Sequence, residues 1–306
     1  MPIPIVVLIL PIAVGILIVQ VWGSYKTIVK IFRWLTLTLF AYIGAAFLAK
    51  PNWSEVFHGT VVPSLQFDSE FLSMLVAILG TTISPYLFFW QSDHEVEEKE
   101  SNPGDGDIRQ GHASDSELKH AAWDVNAGML LSNVVMYFII LAAAATLHQS
   151  ANHEIESATQ AAEALKPIAG QAAFLLMALG LIGTGVLAVP ILTASAAYSV
   201  AEVMGWDCGL DKKPGQAKGF YLVMASSTLG ALLINYLGVN PIKALFITAV
   251  INGFLAPPLL IGLMIVSNDR KIMGGRVNGM LLNILGWSAT AVMLLAAIVL
   301  VWTWTQ

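Results

Sequence analysis

The segment GTTISPYLFF, Gly80 to Phe89, sets three aliphatic hydroxyl side chains and a proline inside a stretch apolar enough to cross a membrane. Thr81, Thr82 and Ser84 offer oxygen donors. Pro85 has no backbone N–H and clashes with the turn before it, so carbonyls near Thr81 and Thr82 lose their helical partners. In hydrocarbon such groups are tolerated only where they are buried in protein or line a water-filled cavity. Unwound carbonyls and helix ends at that depth are the ligands that transport proteins offer to ions. The competing reading is an ordinary proline kink whose hydroxyls bond back to the preceding turn.

The rest of the chain must hold this segment in a bilayer. Of 306 residues, 57% are hydrophobic and 11% charged, against about 25% charged in an average soluble protein. The expected class is therefore an all-α integral membrane protein. A bilayer core asks for about 20 apolar residues per helix, and eight stretches qualify: Ile3 to Val21, Trp34 to Leu48, Glu70 to Gln91, Val125 to Leu147, Ile168 to Met204, Phe220 to Leu237, Ile242 to Val266 and Gly279 to Trp304. Residues 1–306 read as a single transmembrane domain, with residues 92–122 expected as an acidic cytoplasmic loop. The fifth stretch exceeds what a bilayer needs, so it extends beyond the membrane or tilts.

Basic residues orient these spans. Lys26, Lys30, Arg33, Lys99, Arg109, Lys119, Lys212, Lys213, Lys218, Arg270, Lys271 and Arg276 fall in alternate connections, 12 of the 15 in the chain, whereas only Lys50, Lys166 and Lys243 face the other way. The first side is expected to be cytoplasmic, in a multi-pass protein of the plasma (inner) membrane, with both termini outward. A net charge of -5 argues against a nucleic-acid partner. Met1 leads straight into PIPIVVLILPIAVGILIVQVW, without the basic start or cleavage site of a secretory signal. The expectation is a sequence that begins part-way through a longer protein, after an odd number of helices. The single Cys208 excludes an internal disulfide.

Three longer stretches carry a resemblance: ILGTTISPYLFFWQSDHEVEEKE (Ile78 to Glu100), DVNAGMLLSNVVMYFIILAAAATLH (Asp124 to His148) and ALGLIGTGVLAVPILTASAAYSVAE (Ala178 to Glu202). Together they resemble the natural resistance-associated macrophage protein family, Nramp. These are divalent metal transporters, usually proton-coupled, built as two inverted five-helix repeats (the LeuT-like arrangement) plus extra helices. The resemblance implies that the eight spans correspond to that family's fourth to eleventh helices, with the helix broken at Thr81 to Pro85 as its sixth. It implies a transported divalent metal as substrate, no resident cofactor, and metal contacts at Thr81, Ser84, Asn133 and Asn252. Thr248 is an alternative to Asn252, and Asn133 could equally make a helix-to-helix hydrogen bond.

Two departures from that pattern matter. The family's Asp-Pro-Gly-Asn break, half of its metal site, is found in none of the spans, and the Asn-Pro-Gly at Asn102 to Gly104 lies in the acidic loop. Where the family has Ala-x-x-Met-Pro-His, this chain has Thr81-Thr-Ile-Ser84-Pro85-Tyr86. A thioether favours soft transition metals and oxygen donors favour hard cations, so Ser84 implies relaxed selectivity, shifted toward manganese or magnesium over iron, cadmium or zinc. Tyr86 in place of histidine removes the side chain that titrates near neutral pH, which argues against tight proton coupling through this helix.

Other features read more plainly. Gly180-x-x-Gly183-x-Gly185 lies inside an apolar span with no strand before it, so close helix packing is expected rather than nucleotide binding. His94, His112 and His120 beside EVEEKE fit a solvated loop better than a chelate, and Asn235 and Asn283 fit packing polar groups. Divalent metal transport leads the functional readings. A non-transporting remnant, or a scaffold half needing separately encoded N-terminal helices as partner, comes second. An intramembrane enzyme comes last, since there is no His-Glu-x-x-His and no nucleophile with a base at helical spacing.

Overall fold

The computed structural model describes residues 11–18, 33–62, 66, 68–101, 115–147, 157–163 and 166–304. Among the described residues the chain is helical and contains no strand, as expected for an all-α membrane protein. The helices are α1 (11–18), α2 (Arg33–Leu48), α3 (Trp53–Val61), α4 (Ser69–Thr82), α5 (Pro85–Ser101), α6 (Asp115–Leu147), α7 (Ala158–Glu163), α8 (Lys166–Met204), α9 (Lys218–Tyr236), α10 (Pro241–Asn268), α11 (Arg270–Met273) and α12 (Met280–Trp304).

Five spans among the described residues are long and apolar enough to cross a membrane: Ser69–Glu97, Asp115–Ala145, Gly170–Met204, Pro241–Asn268 and Met280–Thr303. A sixth is reached if α2 and α3, bent by 114° to one another, count as one broken span. Of the two remaining expected stretches, the first is described only at 11–18, and the sixth forms the shorter apolar helix α9. Residues 92–122 differ from the loop expected there. α5 continues to Ser101 and α6 starts at Asp115, so both ends of the segment are helical, and residues 102–114 lie outside the described ones. Glu and Lys are good helix formers despite their polarity, so EVEEKE prolongs α5. The long fifth stretch is interrupted at Gly170, where φ 81° is open to glycine.

The chain divides into two compact units. One comprises Met1–Thr60 and Phe89–Pro241. Its first core joins Tyr42 and Ala45 of α2, Val135 of α6, Ala162 of α7, and Ala173 and Met177 of α8. Gly180 and Gly183 explain the close approach of α8 to α2: a Cβ on the first would meet the Tyr42 ring at 2.8 Å, and on the second Thr38 Oγ1 at 1.9 Å. Gly185 faces open space, so two of the three glycines do the packing. A second core packs Ala194, Ala197, Tyr198 and Ala201 of α8 against Phe220, Tyr221 and Met224 of α9.

The other unit comprises Val61–Phe88 and Ile242–Gln306. Leu72, Val76 and Ala77 of α4 pack on Ala249 and Val250 of α10 and Leu300 of α12. α4 starts cleanly because Asp68 caps it, its Oδ1 accepting from Phe71 N at 2.8 Å. This unit carries the Gly80 to Pro85 segment.

Candidate functional site

α4 and α5 together make one candidate span, Ser69–Glu97, and the helix is interrupted halfway along it. Ile83, at φ -114° and ψ 66°, leaves the helical region, while its N–H still reaches Leu79 O at 2.9 Å. Pro85 then opens α5 as its first helical residue, the position where a missing N–H costs nothing.

Ser84 repairs part of the damage. In a continuous helix the residue at Pro85 would bond Thr81 O. Instead the Ser84 hydroxyl donates to Thr81 O at 3.1 Å and to Gly80 O at 2.9 Å. The Leu87 N–H turns to Ser84 O at 3.1 Å, so Ile83 O loses the partner that a continuous helix would supply. Thr81 Oγ1 donates to Ile78 O at 2.8 Å, and Thr82 Oγ1 to Leu79 O at the same distance. The hydroxyls thus bond back to the preceding turn, as in the kink reading, and the helix also stops at Ile83.

Ser84 is 2% exposed, whereas Thr81 is exposed and Tyr86 half-buried. α10 approaches through glycine: a Cβ on Gly80 would lie 2.4 Å from Gly253 N, and one on Gly253 2.6 Å from Val76 O. Asn252, half-buried, precedes that contact in α10, so the structure brings its turn against the helix that carries Thr81, Ser84 and Pro85. Thr248 is exposed, and its hydroxyl bonds Ala244 O at 2.8 Å. Asn133 belongs to the other unit, on an exposed face of α6, with Nδ2 donating to Met129 O at 2.8 Å in its own helix. Among the described residues no three His, Cys, Asp or Glu side chains converge as a metal-sized group. The oxygen groups at the break itself are the hydroxyls of Thr81, Thr82 and Ser84 and the backbone carbonyls, a donor type that suits hard cations.

The profile of the family described as natural resistance-associated macrophage protein-like matches residues 1–303. The chain belongs to the Nramp family. It is 26% identical over 268 residues to the divalent metal cation transporter MntH of Clostridium acetobutylicum, an alignment covering 87% of this chain and 57% of that protein. A second MntH, from Caldanaerobacter subterraneus subsp. tengcongensis, is 22% identical over 243 residues, covering 79% of this chain and 53% of that protein. The Nramp chain thus spans a little over half the length of these relatives. Its membership and its apolar helices identify it as a multi-pass membrane protein.

The Nramp chain also holds a polar cluster that reading by composition missed. Glu97, near the far end of α5, is 7% exposed. Its Oε2 accepts from the Tyr198 hydroxyl of α8, and its Oε1 accepts from Asp211 N at 2.6 Å. Tyr198 Oη in turn accepts from Leu210 N at 3.1 Å. One carboxylate thereby ties α5 to α8 and to the link before α9. Tyr86, Trp90, Asp93 and Glu97 recur at the spacing of one helix face, and that periodicity was the available signal. His94 lies over Trp90 with ring centroids 5.6 Å apart, His120 is exposed, and His112 falls outside the described residues.

Proposed function

We propose that this Nramp chain serves the transmembrane transport of divalent metal cations, with the metal as substrate, and is not an enzyme. The names of its MntH relatives support the substrate class. The observation that carries the reading is the interruption at Ile83 and Ser84, midway along a candidate span and packed against α10 through Gly80 and Gly253. Broken helices at that depth serve ions because their unwound carbonyls replace water ligands.

In this reading Thr81, Ser84 and Asn252 supply oxygen donors around the break, and the metal-binding role of Asn133, in the other unit, rests on the family resemblance alone. Hard donors favour manganese or magnesium. Tyr86 occupies the position where a titrating histidine would couple transport to protons. The test is entry of Mn2+ into vesicles carrying the purified chain, read by quenching of an internal fluorophore. Entry that saturates with Mn2+ supports the reading. Manganese, magnesium and iron all entering no faster than into empty vesicles would overturn it.

A further inference from the structure

Where α10 ends and α12 begins, the second unit holds an open cavity of about 530 Å³ lined by Met264, Ile265, Asn268, Asp269, Asn283 and Trp287. Each wall includes one helical turn: Met264 and Asn268 on α10, and Asn283 and Trp287 on α12. The walls close together because α12 offers Gly286, where a Cβ would stand 2.4 Å from Met264 Sδ. An amide pair joins the helix ends. Asn268 Nδ2 donates to Met264 O and to Asn283 Oδ1, each at 2.7 Å, and Asn283 Nδ2 donates to Asn278 O at 3.3 Å.

Both helices are candidate spans that terminate here, so the cavity sits where hydrocarbon gives way to water. Asn268, Asp269 and Asn283 line it at the helix ends, and Met264 and Trp287 lie a turn deeper. Ile265 and Trp287 are 59% and 45% exposed. The connection between the helices carries Arg270, Lys271 and Arg276, all exposed, against one acid, Asp269. Asp269 is engaged locally, its Oδ1 accepting from Lys271 N at 2.8 Å.

We propose that this cavity holds one anionic phospholipid, its phosphate toward Arg270, Lys271 and Arg276 and its first methylenes against Ile265 and Trp287. The excess of basic side chains selects a negatively charged headgroup over a zwitterionic one. The apolar half of the lining selects a lipid over a soluble anion, and a tryptophan at headgroup depth suits the glycerol region.

The experiment is native mass spectrometry of the purified full chain in detergent, with phosphatidylglycerol or phosphatidylcholine added. One retained phosphatidylglycerol is expected, with phosphatidylcholine released. The triple variant Arg270→Gln, Lys271→Gln, Arg276→Gln should weaken retention about a hundredfold, at roughly fivefold per basic residue beside an anionic surface. Removing as many charges by Lys212→Gln, Lys213→Gln, Lys218→Gln should leave retention unchanged. Trp287→Ala keeps every charge and should also release the lipid. Equal retention of the two lipids, equal loss in both triple variants, no loss in the first, or displacement of the lipid by inorganic phosphate alone would each overturn the assignment.

Discussion

Gly80 of α4 and Gly253 of α10 meet backbone to backbone: a Cβ on Gly80 would stand 2.2 Å from Ala249 O, and one on Gly253 2.5 Å from Val76 Cγ1. Two residues without side chains therefore set the register of the broken helix against the turn that bears Asn252. Gly80→Ala and Gly253→Ala should each lower stability by about 1–3 kcal/mol through overpacking. Gly128→Ala, with nothing within 4 Å of the added carbon, should be neutral or slightly stabilising. Thermal unfolding in detergent distinguishes them, and a Gly80→Ala variant as stable as Gly128→Ala would refute the contact.

Ser84→Met tests the oxygen character of the break. The thioether adds a soft ligand, so competition by Cd2+ against Mn2+ uptake should strengthen about tenfold, the equivalent of ~1.4 kcal/mol. Unchanged competition would separate Ser84 from the metal.

Tyr86→His tests coupling. Uptake by the native chain should vary little between about pH 5.5 and 7.5, because no imidazole stands at this position and histidine is the side chain whose charge ordinarily changes in that range. The histidine variant should acquire a pH dependence centred near 6.5. Steep pH-driven uptake by the native chain would place the coupling group elsewhere.

Glu97→Ala removes the acceptor shared by the Tyr198 hydroxyl and Asp211 N–H. The buried Tyr198 hydroxyl, left without that acceptor, costs about 1–3 kcal/mol, whereas the N–H of the exposed Asp211 can turn to water and adds little. Tyr198→Phe should cost less, and the double variant less than the sum of the two. Additive losses would show that the two side chains act independently.

Cys208, the single cysteine, lies in the link between α8 and α9. Burial, reinforced by the charge of Glu202, pushes its thiol above the ordinary range. A raised value means less thiolate at any given pH, so alkylation at pH 7 should be slower than for glutathione. Its rate should still be climbing above pH of about 9.5, a unit beyond the ordinary thiol pKa, where an unperturbed thiol has levelled off. Native stability should fall as pH rises beyond that of the unfolded thiol. Mass spectrometry reads the reaction as one added label, and a rate profile matching glutathione would refute the burial.

The apolar runs announced α4, α6, α8, α10 and α12 because in a bilayer length and apolarity are nearly sufficient to make a helix. The break was equally legible, since Pro85 can only begin a helix or bend one. The acidic end of α5 was not, because EVEEKE looks solvated until Tyr198 and the Asp211 N–H are brought to Glu97 from more than 100 residues away. That Gly183 packs while Gly185 does not depends on the rotation of α8, which composition does not encode. Asn283 was legible as a packing polar group, and it bonds Asn268, whereas the side chain of Asn235 lies outside the described ones. Asn133 bonds its own helix instead of a neighbour, so neither reading given for it follows from its hydrogen bond.

The interruption at Ile83 and Ser84 leaves two shorter helices end to end where one would otherwise run. Each carries its own macrodipole, about half a negative charge at the carbonyl end of α4 and half a positive charge at the amide end of α5. A continuous helix would cancel these against each other in mid-bilayer. Here they survive as a fixed electric polarity across two residues, so a cation brought to the break would be drawn to the α4 side and repelled by the α5 side before any side chain touched it.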